Sequence, residues 1–234
     1  MIVELSTTIK GIIMNQDNLS TTTLKRQKQA RKEVMIERAL ELFLNVGIES
    51  TTMNDVAKAS SSGIASAFRY FETKHHLVVA TATLLWERLS LEVTHSIPHN
   101  FQSYTGLEQV AFMLSLFKSF YIEKPQMFRF LEQFDNYVIT HQLSDELLDG
   151  YEDKVLWFQP SMMKMIDKGK QDLSIRLDID TQLLYLTMTH QLMSLIAKLV
   201  LRGHVLRSDD LILGEAQLDC VIDMIKSYLK PTHQ

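Results

Sequence analysis

Apolar residues recur along this chain with the spacing of α-helices. Ile36, Ala39, Leu40 and Phe43 fall at i, i+3, i+4 and i+7, which places them on one face of a helix. Gly47 lies four residues after Phe43 and favours the end of that helix. Similar stripes recur as far as residue 229, and no segment alternates apolar and polar residues over a useful length. The pattern predicts an all-α chain.

Short helices with a tight turn are expected directly after this first helix. Thr52, with Asp55 three residues later, has the spacing of a helix N-cap and an acid in the first turn. The run Ser60–Ser62 predicts a turn, and a third helix is expected from about Gly63 to Tyr70. Thr73 can cap a fourth helix. Three short helices with a tight turn between the second and third form a helix-turn-helix unit.

Longer helices are expected over most of the remaining chain. The content of 46% hydrophobic residues with only 8 Gly and 4 Pro in 234 residues suits long regular elements. We divide the chain into a disordered tail (1–23), a helix-turn-helix DNA-binding domain (24–77) and a helical ligand-binding and dimerisation domain (78–234). The helices expected in the last domain are 77–94, 107–122, one beginning at Pro125, 145–170 with a bend near Pro160, 180–202 and 211–229.

Charge is distributed unevenly between these parts. Residues 24–76 carry nine Lys and Arg against six Asp and Glu, whereas residues 77–234 carry 14 against 20. This distribution suits a protein that binds DNA through one module rather than a protein that covers nucleic acid without sequence preference. The stretch Ala59–Lys74 combines small residues, which permit close approach, with hydroxyl, Arg, Tyr and Lys side chains, which are usual partners of phosphate oxygens.

Several other function classes find little support in the sequence. It has no P-loop, no glycine-rich dinucleotide turn and no nucleophile elbow, and we expect no enzyme, cofactor or metal site. His75 and His76 are adjacent, so on a helix they diverge by about 100°. The apolar run Leu183–Leu201 is interrupted by His190 and Lys198, which favours a buried interface helix over a membrane span. A single cysteine excludes an internal disulfide and fits the cytoplasm.

Around residues 30–77 the order of residues resembles the tetracycline-repressor (TetR) family. The resemblance implies a ligand-responsive transcriptional regulator, a repressor, that binds a near-palindromic DNA operator as a homodimer and is released by a small apolar molecule. A helical small-molecule-binding protein without DNA function is the alternative. The positions that carry the resemblance are Ile36, Ala39, Leu42, Phe43, Gly47, Ile48, Thr51, Thr52, Met53, Val56, Ala57, Phe68–Phe71, Lys74 and Leu77.

The resemblance also implies which residues contact DNA. Thr52 would cap the second helix and touch a phosphate, and Lys74 would clamp another. The turn of the family usually reads Ala-Gly-Val, so Ser61 stands where a left-handed residue is needed and carries modest strain. The full set of expected DNA contacts is Thr52, Asn54, Gly63, Ile64, Ala65, Ser66, Phe68, Arg69, Tyr70 and Lys74.

The second domain carries candidate residues for a ligand pocket and a dimer interface. Adaptable methionine and aromatic side chains often line apolar sites, although most of them form core. Two stripes at i, i+4, i+7 and i+11 on the last two helices suit a four-helix bundle between two chains, unless both stripes face their own domain. The pocket candidates are Phe117, Phe120, Phe128, Phe134, Trp157 and Met162, and the interface candidates are Met188, Leu192, Leu195, Leu199, Leu218, Ile222, Ile225 and Leu229.

Overall fold

The structure is a computed structural model that describes residues 25–203, 205, 207, 209 and 211–231. Throughout this part the chain forms ten α-helices and two 3₁₀ turns, with no strand. The all-α fold class is therefore confirmed. The predicted tail of residues 1–23 lies outside the described residues.

The first four helices form the helix-turn-helix module and its connection to the rest of the chain. Leu40 and Phe43 of the first helix belong to the same core as Val56 of the second and Ala67 and Phe71 of the third. The predicted stripe of the first helix is thus buried at these positions. The helices are α1 (25–46), α2 (Met53–Ala59), α3 (Ile64–Phe71) and α4 (Lys74–Ser96).

The turn between α2 and α3 is closed by backbone hydrogen bonds. The Ser62 N–H donates to the Ala57 carbonyl at 2.8 Å, and the Ser61 N–H donates to the Lys58 carbonyl at 3.0 Å. These two bonds form a Schellman motif, which requires a left-handed residue after the helix cap. Ser61 has φ 52°, so its predicted left-handed conformation is confirmed.

Six further helices build the larger domain. The predicted helix 145–170 is interrupted by a 3₁₀ turn at Leu156–Phe158, and Pro160 lies in the first turn of the helix that follows. Proline fits a first turn because its missing N–H would have no intrahelical partner there. The helices are α5 (Gly106–Glu123), α6 (Pro125–His141), α7 (Asp145–Val155), α8 (Gln159–Gln171), α9 (Thr181–Arg202) and α10 (Gly214–Leu229), and a second 3₁₀ turn covers Phe101–Ser103.

Helix α4 is continuous across the boundary expected at residue 77. Its Arg88 forms an ion pair with Glu37 of α1. On its other side, the Trp86 indole N–H donates to the Tyr151 hydroxyl of α7 at 3.2 Å. A single helix therefore contacts both the first module and the larger domain.

The apolar stripes of the last two helices face the core of their own domain. This corrects the assignment of these side chains to a free dimer surface. A stripe shows that one helix face needs an apolar partner, but it does not say whether that partner is the same chain or a second one. Met188, Leu192, Leu218, Ile222, Ile225 and Leu229 are buried, and Leu195 and Leu199 are half-buried.

The opposite faces of α9 and α10 are exposed. On α10, Met224 and Tyr228 are 53% and 56% exposed, and Cys220 is exposed as well. On α9, Leu183 is 67% exposed. Among the described helices, α9 alone is long and apolar enough to cross a membrane. Six of its residues nevertheless pack in the core of the helical domain.

Candidate nucleic-acid interface and ligand cavity

Helix α3 has a buried face and an exposed apolar face. Ala67 and Phe71 are buried four residues apart, which fixes the helix on the module. Ile64 and Phe68, also four residues apart, are 41% and 47% exposed, and Ala65 lies exposed beside them. The helix therefore presents two large apolar side chains to its surroundings on one face.

The beginning of α3 is open. Gly63 is its N-cap, with φ −77°, and no side chain caps the helix. A Cβ atom placed on Gly63 would meet nothing within 4 Å. Neither a positive φ nor close packing within the described chain requires glycine here, although glycine is an acceptable N-cap residue.

Thr52 caps α2 by a capping box with Asp55. The Asp55 N–H donates to Thr52 Oγ1 at 3.2 Å, and the Thr52 N–H donates to Asp55 Oδ2 at 2.9 Å. The Thr52 hydroxyl also donates to Asp55 Oδ2 at 2.6 Å, and this bond, together with the one from the Thr52 N–H, lowers the pKa of Asp55. The predicted cap is confirmed, and Asn54 lies exposed in the first turn of the helix.

The cations of the module fall into two groups. Lys25, Arg26, Lys28 and Arg31 are exposed along the first turns of α1 and form no ion pair within the described residues. Lys32 instead lies with its ammonium 5.4 Å from the centroid of a buried aromatic ring on α3. The first four cations remain available to an external anion.

The α3 and α4 cations are engaged with neighbouring groups. Arg69 Nη2 donates to Ser66 Oγ at 3.3 Å, and its guanidinium lies 5.4 Å from the Tyr70 ring centroid. Lys74 Nζ donates to the Glu49 backbone carbonyl at 3.3 Å and lies 4.0 Å from its carboxylate. Burial lowers the pKa of Lys74, and Glu49 opposes that shift. A phosphate that approaches Lys74 would compete with Glu49 for its ammonium.

A cluster of polar rings joins the module to α6. The Tyr137 hydroxyl and His75 Nδ1 are 2.8 Å apart, and His141 Nε2 lies 3.0 Å from Glu49 Oε1. Burial lowers the pKa of His75, and the nearby His141, His76 and Lys74 lower it further. Burial raises the pKa of Tyr137 to about 12. Residues of α6 therefore hold the start of α4 and the loop before α2.

The larger domain contains an apolar cavity of about 110 Å³. It lies between α4, α5, α6, α9, and the end of α7 with the 3₁₀ turn that follows it. Phe117, Phe120, Phe128 and Trp157, four of the six candidates from the sequence, line it together.

Phe134 and Met162 do not line the cavity, which corrects those two assignments. Both are 1% exposed. Phe134 packs between Phe130 and Tyr151, with ring centroids 6.4 and 4.6 Å away, respectively. Sequence cannot separate the two cases, because core packing and cavity lining favour the same apolar residue types.

Sequence reasoning missed other residues that line the cavity. Trp86 on α4 belongs to the lining, and so do Tyr185 and Thr189 on α9. Tyr185 and Thr189 are four residues apart and therefore lie on one helix face. The sequence alone does not single them out, because α9 carries other polar residues such as Thr187, His190 and Gln191.

A helix-turn-helix module, joined through a shared helix to a larger helical domain that encloses an apolar cavity, is the architecture of a DNA-binding transcription regulator. Residues 35–81 match the family of bacterial regulatory proteins described as the tetR family. The match covers the second half of α1, all of α2 and α3, and the start of α4, so the helix-turn-helix module is that of a TetR-family transcriptional regulator.

Individual relatives agree with this family. The HTH-type transcriptional repressor KstR from Rhodococcus jostii (strain RHA1) is 30% identical over 84 residues, which cover 36% of this chain and 38% of KstR. A TetR-family transcriptional regulator from Rhodococcus sp. has a TM-score of 0.63 at 14% identity, covering 84% of this chain and 99% of its own. A TetR-family regulator from Marinobacter aquaeolei VT8 has a TM-score of 0.56 at 16% identity, covering 88% and 98%. At these identities the two structures establish a common fold.

Proposed function

We propose that this chain is a ligand-responsive transcriptional repressor whose α3 enters the major groove of DNA. The observation that carries the proposal is the exposed face of α3. Ile64 and Phe68 project from it, although water is a poor environment for either side chain. In a major groove such side chains can pack against the methyl groups of thymine. The open position at Gly63 allows the helix end to approach the bases closely.

Contacts to the DNA backbone would come from the sides of the same module. The Lys25–Arg31 segment of α1 supplies exposed cations with no ion pair in the described chain. Thr52, Arg69 and Tyr70 flank the exposed face, and Lys74 joins them if a phosphate replaces Glu49 as its partner. Such contacts give affinity and register, whereas α3 and Asn54 at its side would supply sequence preference.

One module offers few hydrogen bonds to bases, so we propose that two chains bind a near-palindromic operator. The exposed faces of α9 and α10 are the surface we assign to the second copy. Between them lies a cleft of about 620 Å³, and Leu183, Gln191, Met224 and Tyr228 are among its lining residues. A symmetric pair of such faces would cover these apolar side chains and double the DNA contacts.

The dimer proposal is tested by the double variant Met224→Glu with Tyr228→Glu. Both side chains are more than half exposed, so the subunit should still fold while the dimer dissociates. Ile139→Glu, at a position 75% exposed on α6, is the matched control and should remain dimeric. Sizing by light scattering gives the oligomeric state, and the labelling rate of Cys220, the single cysteine, should rise on dissociation. A double variant that stays dimeric would show that the interface lies on another surface.

The cavity is the site we assign to the regulating ligand. Trp86, Leu89 and Val93 of α4 line it, and the same helix begins at Lys74 in the module. A ligand that displaces these three side chains would therefore shift the helix that carries the module. Repression is proposed because the relative KstR is named a repressor. We expect the ligand to release DNA because this shift of α4 would change the distance between the two modules of a dimer, which must match the spacing of the two half-sites.

The alternative is a helical ligand-binding protein without DNA function. The two are separated by titrating fluorescent DNA from the promoter of the chain's own gene with the protein, at several salt concentrations. The proposal expects saturable binding whose affinity falls linearly on logarithmic scales as salt rises. It also expects the variant Phe68→Ala to bind more weakly at every salt concentration. Binding that is absent, or equal for every DNA sequence and for both proteins, would favour the alternative.

A further inference from the structure

We infer that the cavity takes an uncharged, mostly apolar molecule with a single hydroxyl or carbonyl group that meets Tyr185 and Thr189. The inference rests on the proposed function, in which this cavity is the regulatory site. It adds the chemical class of the ligand, which follows from the side chains that line the cavity.

No acidic, basic or histidine side chain of the described chain lines the cavity. Lys124 lies beside one wall residue, with its ammonium 5.9 Å from the ring centroid of Phe120. Lys124 is already paired with Glu92. A carboxylate or phosphate bound inside would lose its water without gaining a counterion, which is strongly unfavourable. The cavity therefore selects against anionic ligands.

Hydrogen-bonding groups are concentrated on α9. Tyr185 is buried and Thr189 is half-buried one turn later, and both line the cavity. Burial raises the pKa of Tyr185, and hydrogen bonding to Thr189 opposes part of that rise. The Trp86 indole N–H already donates to Tyr151 and is occupied. The two hydroxyls of α9 can both donate and accept, so they suit one hydroxyl or carbonyl of a ligand.

The size of the cavity limits what enters without rearrangement. Its volume of about 110 Å³ is somewhat below the ~150 Å³ of an apolar cavity that takes up benzene. Met113, Met127 and Met193 belong to the wall, and their unbranched side chains can change rotamer at low cost. A ligand presenting one ring is thus accommodated with small movements of the methionines.

The chain carries its own reporter for this site. Its two tryptophans, Trp86 and Trp157, both line the cavity. Intrinsic fluorescence excited at the red edge of tryptophan absorption therefore reports on occupancy. We would titrate the full chain with toluene, benzyl alcohol and benzoate, three probes with one ring that differ in polarity and charge. Toluene and benzyl alcohol should bind, and benzoate should bind at least tenfold more weakly.

Variants of the two hydroxyls test the polar part. Tyr185→Phe and Thr189→Val should each weaken benzyl alcohol binding about three- to tenfold and change toluene binding less than twofold. Thr94→Val is the matched control, because Thr94 is exposed on α4 and lines neither the cavity nor the cleft between α9 and α10. It should change neither. Equal binding of benzoate and benzyl alcohol, equal losses for both neutral probes in the variants, or no binding of any probe would each overturn the inference.

DNA binding by the same samples separates this inference from the proposed function. If the neutral probes bind with the expected preference but no promoter DNA is bound, the ligand class stands and the regulator fails. If DNA is bound and is released by benzoate in preference to benzyl alcohol, the regulator stands and the ligand class fails.

Discussion

Replacing Gly63 by alanine separates a role in DNA contact from a role in folding. Gly63 has an ordinary φ of −77°, and an added Cβ would meet no atom within 4 Å. Alanine is a poorer N-cap than glycine by roughly 0.5–1 kcal/mol. It also restricts the unfolded chain, which favours folding by about 0.4–1 kcal/mol. The two effects nearly cancel, so the free energy of unfolding should change by less than about 0.5 kcal/mol.

The effect on DNA should be much larger. If the end of α3 touches the DNA, the added methyl group enters a packed contact, which costs about 1–3 kcal/mol. That cost corresponds to DNA binding weaker by roughly 5- to 150-fold for each module. The measurement is an anisotropy titration of labelled promoter DNA, paired with thermal unfolding of the same preparation.

Gly150→Ala is the matched control for Gly63→Ala. Gly150 lies in α7, and a Cβ there also meets nothing within 4 Å. This variant should be more stable by about 1 kcal/mol, because alanine is the better helix former, and should bind DNA normally. Normal DNA affinity in Gly63→Ala would exclude close contact at the start of α3. A large loss of stability would mean that the glycine serves the fold.

Three further predictions concern the module and its contact with α6. Ser61→Gly should raise the free energy of unfolding by roughly 0.5–1 kcal/mol, because Ser61 is left-handed at φ 52°; a lower melting temperature would exclude strain there. Lys74→Ala should reduce the salt dependence of DNA binding by about one phosphate contact per module. An unchanged slope would mean that Lys74 stays paired with Glu49 in the complex and contacts no phosphate. Burial lowers the pKa of His75 in the folded state. The unfolded state therefore takes up a proton more readily as pH falls below its own pKa of about 6.5, and the folded protein loses stability until the lowered folded pKa is reached. His75→Gln should remove that loss, because the glutamine amide does not titrate and can either donate to or accept from the Tyr137 hydroxyl. Equal acid-induced decreases in melting temperature for both proteins would contradict this assignment.

Helix ends and the special turn were predictable from the sequence because each depends on local chemistry. Thr52 with Asp55, Gly47, Pro125 and Gly203 each mark a helix end that the structure places within one residue of the expected position. The caps and breakers act through backbone groups next to them, so no distant contact is needed to interpret them.

Features that depend on distant contacts were harder to predict. The stripe through Ile222 and Ile225 shows an apolar face, yet only the fold shows that this face packs within its own domain. The exposed Met224 and Tyr228 on the opposite face carry little periodic signal. The break at residues 156–158 lies before the proline expected to cause it, and we have no sequence signal that accounts for its position.

The cavity was only partly predictable. Phe117 and Phe134 are both aromatic residues on helices of the larger domain, but only Phe117 reaches the cavity. Tyr137 and His141 lie on the same helix as Phe128, yet they contact the module and do not line the cavity. The angles at which five helices pack decide which buried side chain faces the cavity, and the spacing of residues along the sequence does not predict those angles.

Whether α3 reads DNA sequence is tested most directly by selecting DNA from a random library with the full chain and footprinting the enriched sites. We expect an inverted repeat, with two protected half-sites at one fixed spacing on one face of the double helix. Repeating the selection with Phe68→Ala should change base preference at the same position in both half-sites. Enrichment of no common sequence, or an identical repeat for both proteins, would exclude base reading by the exposed face of α3.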